Sequence, residues 1–118
     1  MTLYCESTTV RVKRGDTWAL VWSWLDADGN PIDLTGVSAR MSFQVKDGDG
    51  SSVLDLSTDE GTLVIDAVSG TVAMAAPSTS TSGVSPDIYI TDQELTFPTG
   101  VVLSTADVYF KVLEDRTI

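Results

Sequence analysis

The sequence predicts an all-β fold, an antiparallel sandwich or small barrel of about seven or eight short strands. Apolar residues recur with period two along most of the chain. Turn-forming clusters (DADGN, KDGDGSS, DEG, VSG, PSTSTSG, FPTG) interrupt that alternation about every 8–12 residues. No stretch of about ten residues carries the three-and-four spacing of an amphipathic helix. Two sheets that cover each other hide one apolar face per strand, so a two-layer arrangement follows.

Each element can be justified in turn. STTVRVK offers Val10 and Val12 on one face of a first strand. In TWALVWSWL, Trp18, Leu20, Trp22 and Trp24 share a core-like face. Ala19, Val21, Ser23 and Leu25 form a semi-apolar opposite face, as in a central strand or one with a partly covered outer surface. GVSARMSFQVK places Val37, Ala39, Met41, Phe43 and Val45 inward, with Ser38, Arg40, Ser42, Gln44 and Lys46 in water. TLVID and TVAMA, joined by a turn ending in Gly70, pair Leu63 with Ile65 and Val72 with Met74. PSTSTSG reads as a flexible crossover. In VSPDIYIT, Ile88 and Ile90 are expected inward and Tyr89 outward, with Pro86 keeping the start at an edge. VVLST is a short strand. DVYFKVL turns Val108, Phe110 and Val112 inward against Tyr109, Lys111 and Leu113.

A length of 118 residues suits one domain. It divides into an N-terminal arm, residues 1–9, and a β-sandwich domain, residues 10–118. There are 17 acids against 7 bases, a formal charge of −10. Such a surface repels phosphate backbones and anionic bilayers, so neither a nucleic-acid nor a membrane partner is expected. Cys5 is the sole cysteine, which precludes a disulfide within the chain and suits synthesis in a reducing cytoplasm. MTLYCESTTV lacks the basic flank and apolar run of a signal peptide. No histidine is present, which removes the commonest neutral-pH general base and the usual nitrogen ligand for transition metals.

DADGNPIDLTG is the densest cluster of candidate chemistry. Asp26, Asp28 and Asn30 have the first three spacings of an EF-hand loop, but Pro31 takes the glycine position and Val37 the terminal acid position. Turn chemistry is the better reading. Gly29 suits a positive φ, Asp33 can accept the backbone N–H of Thr35, and Leu34 drops into the core. Asp47 with Asp49, and Asp59 with Glu60, read as hairpin tips. No Gly-x-Ser-x-Gly element and no phosphate loop occurs. No catalytic residue, cofactor site or metal site is therefore assigned, and no enzyme is expected. The indoles of Trp18, Trp22 and Trp24 admit an alternative, a carbohydrate-binding module with or without calcium, although parity with Leu20 favours the interior. For an interface, Arg11, Lys13 and Arg14 can pair with the chain's own acids or dock an acidic partner. Tyr89, Tyr109 and Leu113, opposite apparent core residues, complete the candidate set.

The order of motifs resembles the opening of a family of phage virion domains found in upper-baseplate and tail-fibre proteins. The resemblance rests on Arg14-Gly15-Asp16, on Asp26 with Gly29 and Pro31, on Asp33-Leu34-Thr35-Gly36, and on the alternating Val37 to Val45. GTLVIDAVSGTVAMAAP and PTGVVLSTADVYFKVLEDRTI are similar to that family's later strand pairs. The chain departs from the pattern at Ser85 to Asp92, where the family carries Gly-x-Tyr-x-Tyr/Phe-Asp. The resemblance implies an immunoglobulin-like antiparallel β-sandwich without an active site. It also implies a structural part of a bacteriophage virion: an adaptor or accessory protein of the tail, baseplate or fibre attachment. Its partners would be other virion proteins, contacted by copies repeated through the symmetry of the particle.

Overall fold

The computed structural model describes residues 8–105 and 107–114. Among them run ten strands and one helical turn: β1 (Thr8–Lys13), β2 (Trp18–Ser23), β3 (Ser38–Val45), β4 (Ser52–Ser57), β5 (Leu63–Asp66), β6 (Thr71–Ala76), α1 (Ser78–Thr81), β7 (Ile88–Thr91), β8 (Gln93–Thr96), β9 (Val102–Ser104) and β10 (Val108–Leu113). β1 takes in Thr8 and Thr9 from the expected arm, pairing them with Val108 and Tyr109. The remainder of that arm, with Cys5, lies outside the described residues.

Two sheets form. In the larger, β7 and β8 lie end to end along one side of β3, and β4 pairs with the other side. β10 and β9 continue beyond β7 and β8, and β1 closes the edge in parallel with β10. The result is five rows: β4, β3, β7–β8, β9–β10, β1. The smaller sheet is β2-β6-β5, antiparallel throughout.

The faces follow the sequence where the alternation is long. Trp18 and Trp24 are 2% and 3% exposed, and Leu20 and Trp22 pack against the core with them. Ala39, Met41 and Phe43 are buried from β3, and Val108, Phe110 and Val112 from β10. Trp18 crosses between the layers, with its ring 6.2 Å from Phe43 and 6.0 Å from Phe110. The two phenylalanine rings meet edge to face at 4.8 Å. Such contacts are favourable beyond the area they bury.

The DADGNPIDLTG segment carries the chain from the smaller sheet to the larger. Asp26 Oδ1 accepts the backbone N–H groups of Asp28 and Asn30, while Gly29 takes φ +82° to close the turn. Ile32 and Leu34 are buried, and Asp33 Oδ1 accepts from both the N–H and the hydroxyl of Thr35. Gly36 follows at φ +75°, the irregularity that resets the parity before β3.

Three expectations need correction. The PSTSTSG crossover is tied down. It contains α1, and the fully buried Thr81 donates its hydroxyl to the Asp16 carbonyl at 2.6 Å. β4 and β8 are additional to the expected strands: β8 offers only Leu95 as a large apolar residue, and the alternation of β4 is confined to Leu54, Asp55 and Leu56. In β7 the parity is inverted. Tyr89 is 3% exposed and Ile88 is 40% exposed. The pairing decides this, since Tyr89 sits opposite inward-facing Phe110 and Val45. Over four residues of similar apolarity, local pattern could not.

Buried Tyr89 also donates its phenol to the carbonyl of Ser85 at 2.6 Å, at the corner where the chain enters the larger sheet. This short-range tie at the start of that row, with the two-layer topology, is a mark of immunoglobulin-like sandwiches. The fold is an all-β, immunoglobulin-like β-sandwich.

Candidate interface on the outer face of the larger sheet

The described cations are sorted by layer, while acids occur on both sheets. Every lysine and arginine among the described residues lies on the larger sheet or directly follows one of its strands: Arg11, Lys13, Arg14, Arg40, Lys46 and Lys111. The strands of the smaller sheet carry none. In a chain of formal charge −10, this makes one face electrostatically distinct.

Register places these groups in levels across the sheet. At one end Arg11 is opposite Lys111, Lys111 is opposite Ile88, and the Lys46 N–H bonds the Ile88 carbonyl at 2.9 Å. Lys46, Lys111, Ile88, Tyr109 and Thr9 line a shallow depression there. The Lys46 ammonium lies 5.6 Å from the centre of the Tyr109 ring, within cation–π range. One level on, Tyr109, Ile90 and Gln44 are paired across three rows.

The other end is acidic. Asp92, Glu94 and Asp107 line a second depression together with Arg40, Ser42 and Ile90. Arg40 Nε donates to Glu94 at 3.0 Å. Asp55, on the β4 row, accepts hydroxyl hydrogen bonds from Ser42 at 2.7 Å and Ser52 at 3.0 Å. Burial holds the Asp92 carboxyl above its ordinary range, and repulsion from Asp107 and Glu94 adds to the shift, against a smaller pull from Arg40. The two ends lie about four to six residues apart along the strands, on the order of 13–20 Å. That exceeds a Debye length of about 8 Å, so the ends act as separate poles.

The six sequence-derived interface candidates fare differently. Arg11 and Lys13 are exposed on β1, and Tyr109 and Leu113 are half-buried on the outer side of β10. These four belong to one surface. Arg14 is used within the chain, donating to the Ser82 carbonyl at 2.8 Å and lying 3.9 Å from Glu114. Tyr89 does not belong to the surface, because its ring is in the core and its hydroxyl is spent on Ser85. Lys46, Lys111 and Ile88 complete the basic pole, though sequence reasoning did not single them out. The parity of β3 and β10 does put Lys46 and Lys111 on wet faces, but only the strand order brings them together.

Two of the three indoles are unavailable for stacking, and Trp22 is half-buried against the core. Trp18 and Trp24 are buried, and their N–H groups donate to the Lys13 carbonyl and to Gln93 Oε1. Among the described residues, no three acidic or cysteine side chains gather as they would around a metal ion.

No protein-family model and no curated protein matches this chain. Among solved structures it is similar to CopC from Methylosinus trichosporium OB3b, with a TM-score of 0.50 and 10% identity over 98% of this chain and 90% of that one. A second similarity is to extracellular domains 3–5 of Drosophila OTK, with a TM-score of 0.40 and 14% identity, covering 95% of this chain and 36% of that one. At such identities the likeness concerns the fold alone.

Proposed function

We propose that this chain is a non-catalytic structural module, an adaptor or accessory protein of a bacteriophage virion, that works through protein–protein contacts on the outer face of its larger sheet. The observation that carries the contact surface is the sorting of the cations. All six described cations lie on or beside one sheet; two of them, Lys46 and Lys111, line one depression with Ile88 and Tyr109, and Arg11 is paired beside Lys111. A rim of cations around half-buried aromatic and aliphatic groups suits protein recognition, with the charges setting encounter and register. The placement in a virion is supported by the motif order from Arg14 to Val45 and by the compact sandwich those motifs build.

The test is incorporation. Particles of the source phage carrying the unaltered chain, or Lys46→Glu/Lys111→Glu, would be purified and the chain counted by quantitative mass spectrometry. The unaltered chain is expected at a fixed stoichiometry and the double variant at a tenth of it or less. Absence of the unaltered chain from particles overturns the virion reading. Equal incorporation of both overturns the contact surface.

A further inference from the structure

Resting on the reading of this face as a protein-contact surface, we infer that its partner is a second copy of the same face, turned about a two-fold axis between the sheets and perpendicular to the strands. The argument is self-complementarity. Such an axis, passing near Ile90 and Tyr109, reverses the order of levels along the strands. Each row stays over itself, so Lys111 of one copy comes over the Asp107 end of the other. Lys46 comes over Ser42 with Asp92 on the next row, while Arg40 there is held by Glu94; the same contact is made a second time. A two-fold interface requires one patch to be complementary to itself, and a patch with opposite poles meets that condition. Ile90 and Tyr109 fall at the centre and the charges at the two ends, the usual arrangement of an apolar middle inside a polar rim.

The same geometry sets the strength. Five rows about 4.8 Å apart and about eight residues long at about 3.3 Å each give a face on the order of 600 Å². A stable standard interface buries about 800 Å² per partner, so the pair is weak and forms where copies are concentrated or held side by side. Its attraction comes from exposed lysines and half-buried carboxylates at the surface, so salt weakens it.

Sedimentation velocity on the isolated full chain tests this, from about 1 μM to about 1 mM protein and at about 50 and about 500 mM salt. The unaltered chain is expected to dimerise with a dissociation constant between those concentrations at low salt, and at least tenfold more weakly at high salt. Lys46→Glu/Lys111→Glu puts like poles together and is expected to stay monomeric, as is Asp92→Lys/Glu94→Lys. An equimolar mixture of the two variants restores opposite poles at both contacts and is expected to dimerise. Lys46 and Lys111 are exposed, so the first variant keeps the near-ultraviolet dichroism of the folded chain and the test stands on it even if the second misfolds. A chain still monomeric at the highest concentration in low salt overturns the proposal. So does a dimer that survives both charge reversals but is lost in Val21→Glu, on the outer face of the smaller sheet. If the isolated chain is monomeric while Lys46→Glu/Lys111→Glu still abolishes incorporation, the partner is another protein: the two-fold pairing fails and the contact surface stands.

Discussion

The indole N–H of Trp24 donates to the side-chain oxygen of Gln93 at 2.7 Å, joining the end of β2 to β8 through the middle of the sandwich. Gln93 is fully buried, its amide nitrogen reaches Met41 Sδ at 3.6 Å, and its backbone N–H donates to the Thr105 hydroxyl. One polar side chain thus ties both layers together within a mostly apolar interior.

Gln93→Leu should leave the Trp24 donor buried without an acceptor. Unfolding in urea is expected to show a loss of about 1–3 kcal/mol. Adding Trp24→Phe should recover part of that loss, because both polar partners are then gone. A double variant equal to the sum of the single changes would show that the two side chains are not coupled and that the indole matters for volume alone.

Tyr89→Phe removes the tie to Ser85 while keeping the ring in its site. The expected cost is about 0.5–1.5 kcal/mol in the same assay. Tyr89→Ala also leaves a cavity between the sheets and should cost about 3–5 kcal/mol. Near-equal values for the two would contradict a packed ring.

Gly36 and Gly29 both hold positive φ, yet they differ in surroundings. A Cβ on Gly36 would sit 2.8 Å from Pro98 Cγ, whereas one on Gly29 would meet nothing within 4 Å. Gly29→Ala is expected to cost about 1–2 kcal/mol from backbone conformation. Gly36→Ala carries the same cost plus displacement of the Pro98 ring, so its melting temperature should be the lower. The reverse order would place the strain in the wrong turn.

Two carboxylates should respond to pH in opposite senses. The Asp33 carboxyl is held below its ordinary value of 3.8 by the Thr35 hydroxyl and then by the Thr35 N–H. Its contribution is present above 3.8 and is lost as pH falls through the lower folded value. Asp92 is shifted upward, by burial first and by Asp107 and Glu94 next. It favours the folded state when protonated, and that advantage fades as pH rises from 3.8 through the folded value. Between pH 3 and 7, Asp92→Asn should therefore gain stability relative to the parent chain, while Asp33→Ala should lose it. Parallel titrations of unfolding free energy would check both signs.

The sequence was most informative where alternation runs long. β2, β3 and β10 each present at least three residues per face, and one slip would expose them all, so their parity is legible. The turn from Asp26 to Gly36 was legible for a different reason. Asp33, Thr35 and Gly36 act on backbone atoms one or two residues away, and local chemistry is written locally. β7 was not legible, because Ile88, Tyr89 and Ile90 are all large and apolar and only the neighbouring strands choose among them. Gln93 was hidden because its partner is 69 positions away. The basic pole was half visible: each cation could be assigned to a wet face, but the juxtaposition of β3, β7 and β10 is a product of topology.

The parallel pairing of β1 with β10 fixes how the domain bears load. Thr8 lies beside Val108 and Lys13 beside Leu113, so the described chain enters at one pole of the sandwich and leaves at the other. Tension applied through those two points pulls the adjoining strands past each other lengthwise. All the hydrogen bonds between them must then yield together instead of opening singly like a zip. Force along that axis therefore meets the whole ladder at once, whereas a hairpin pulled across its strands opens bond by bond.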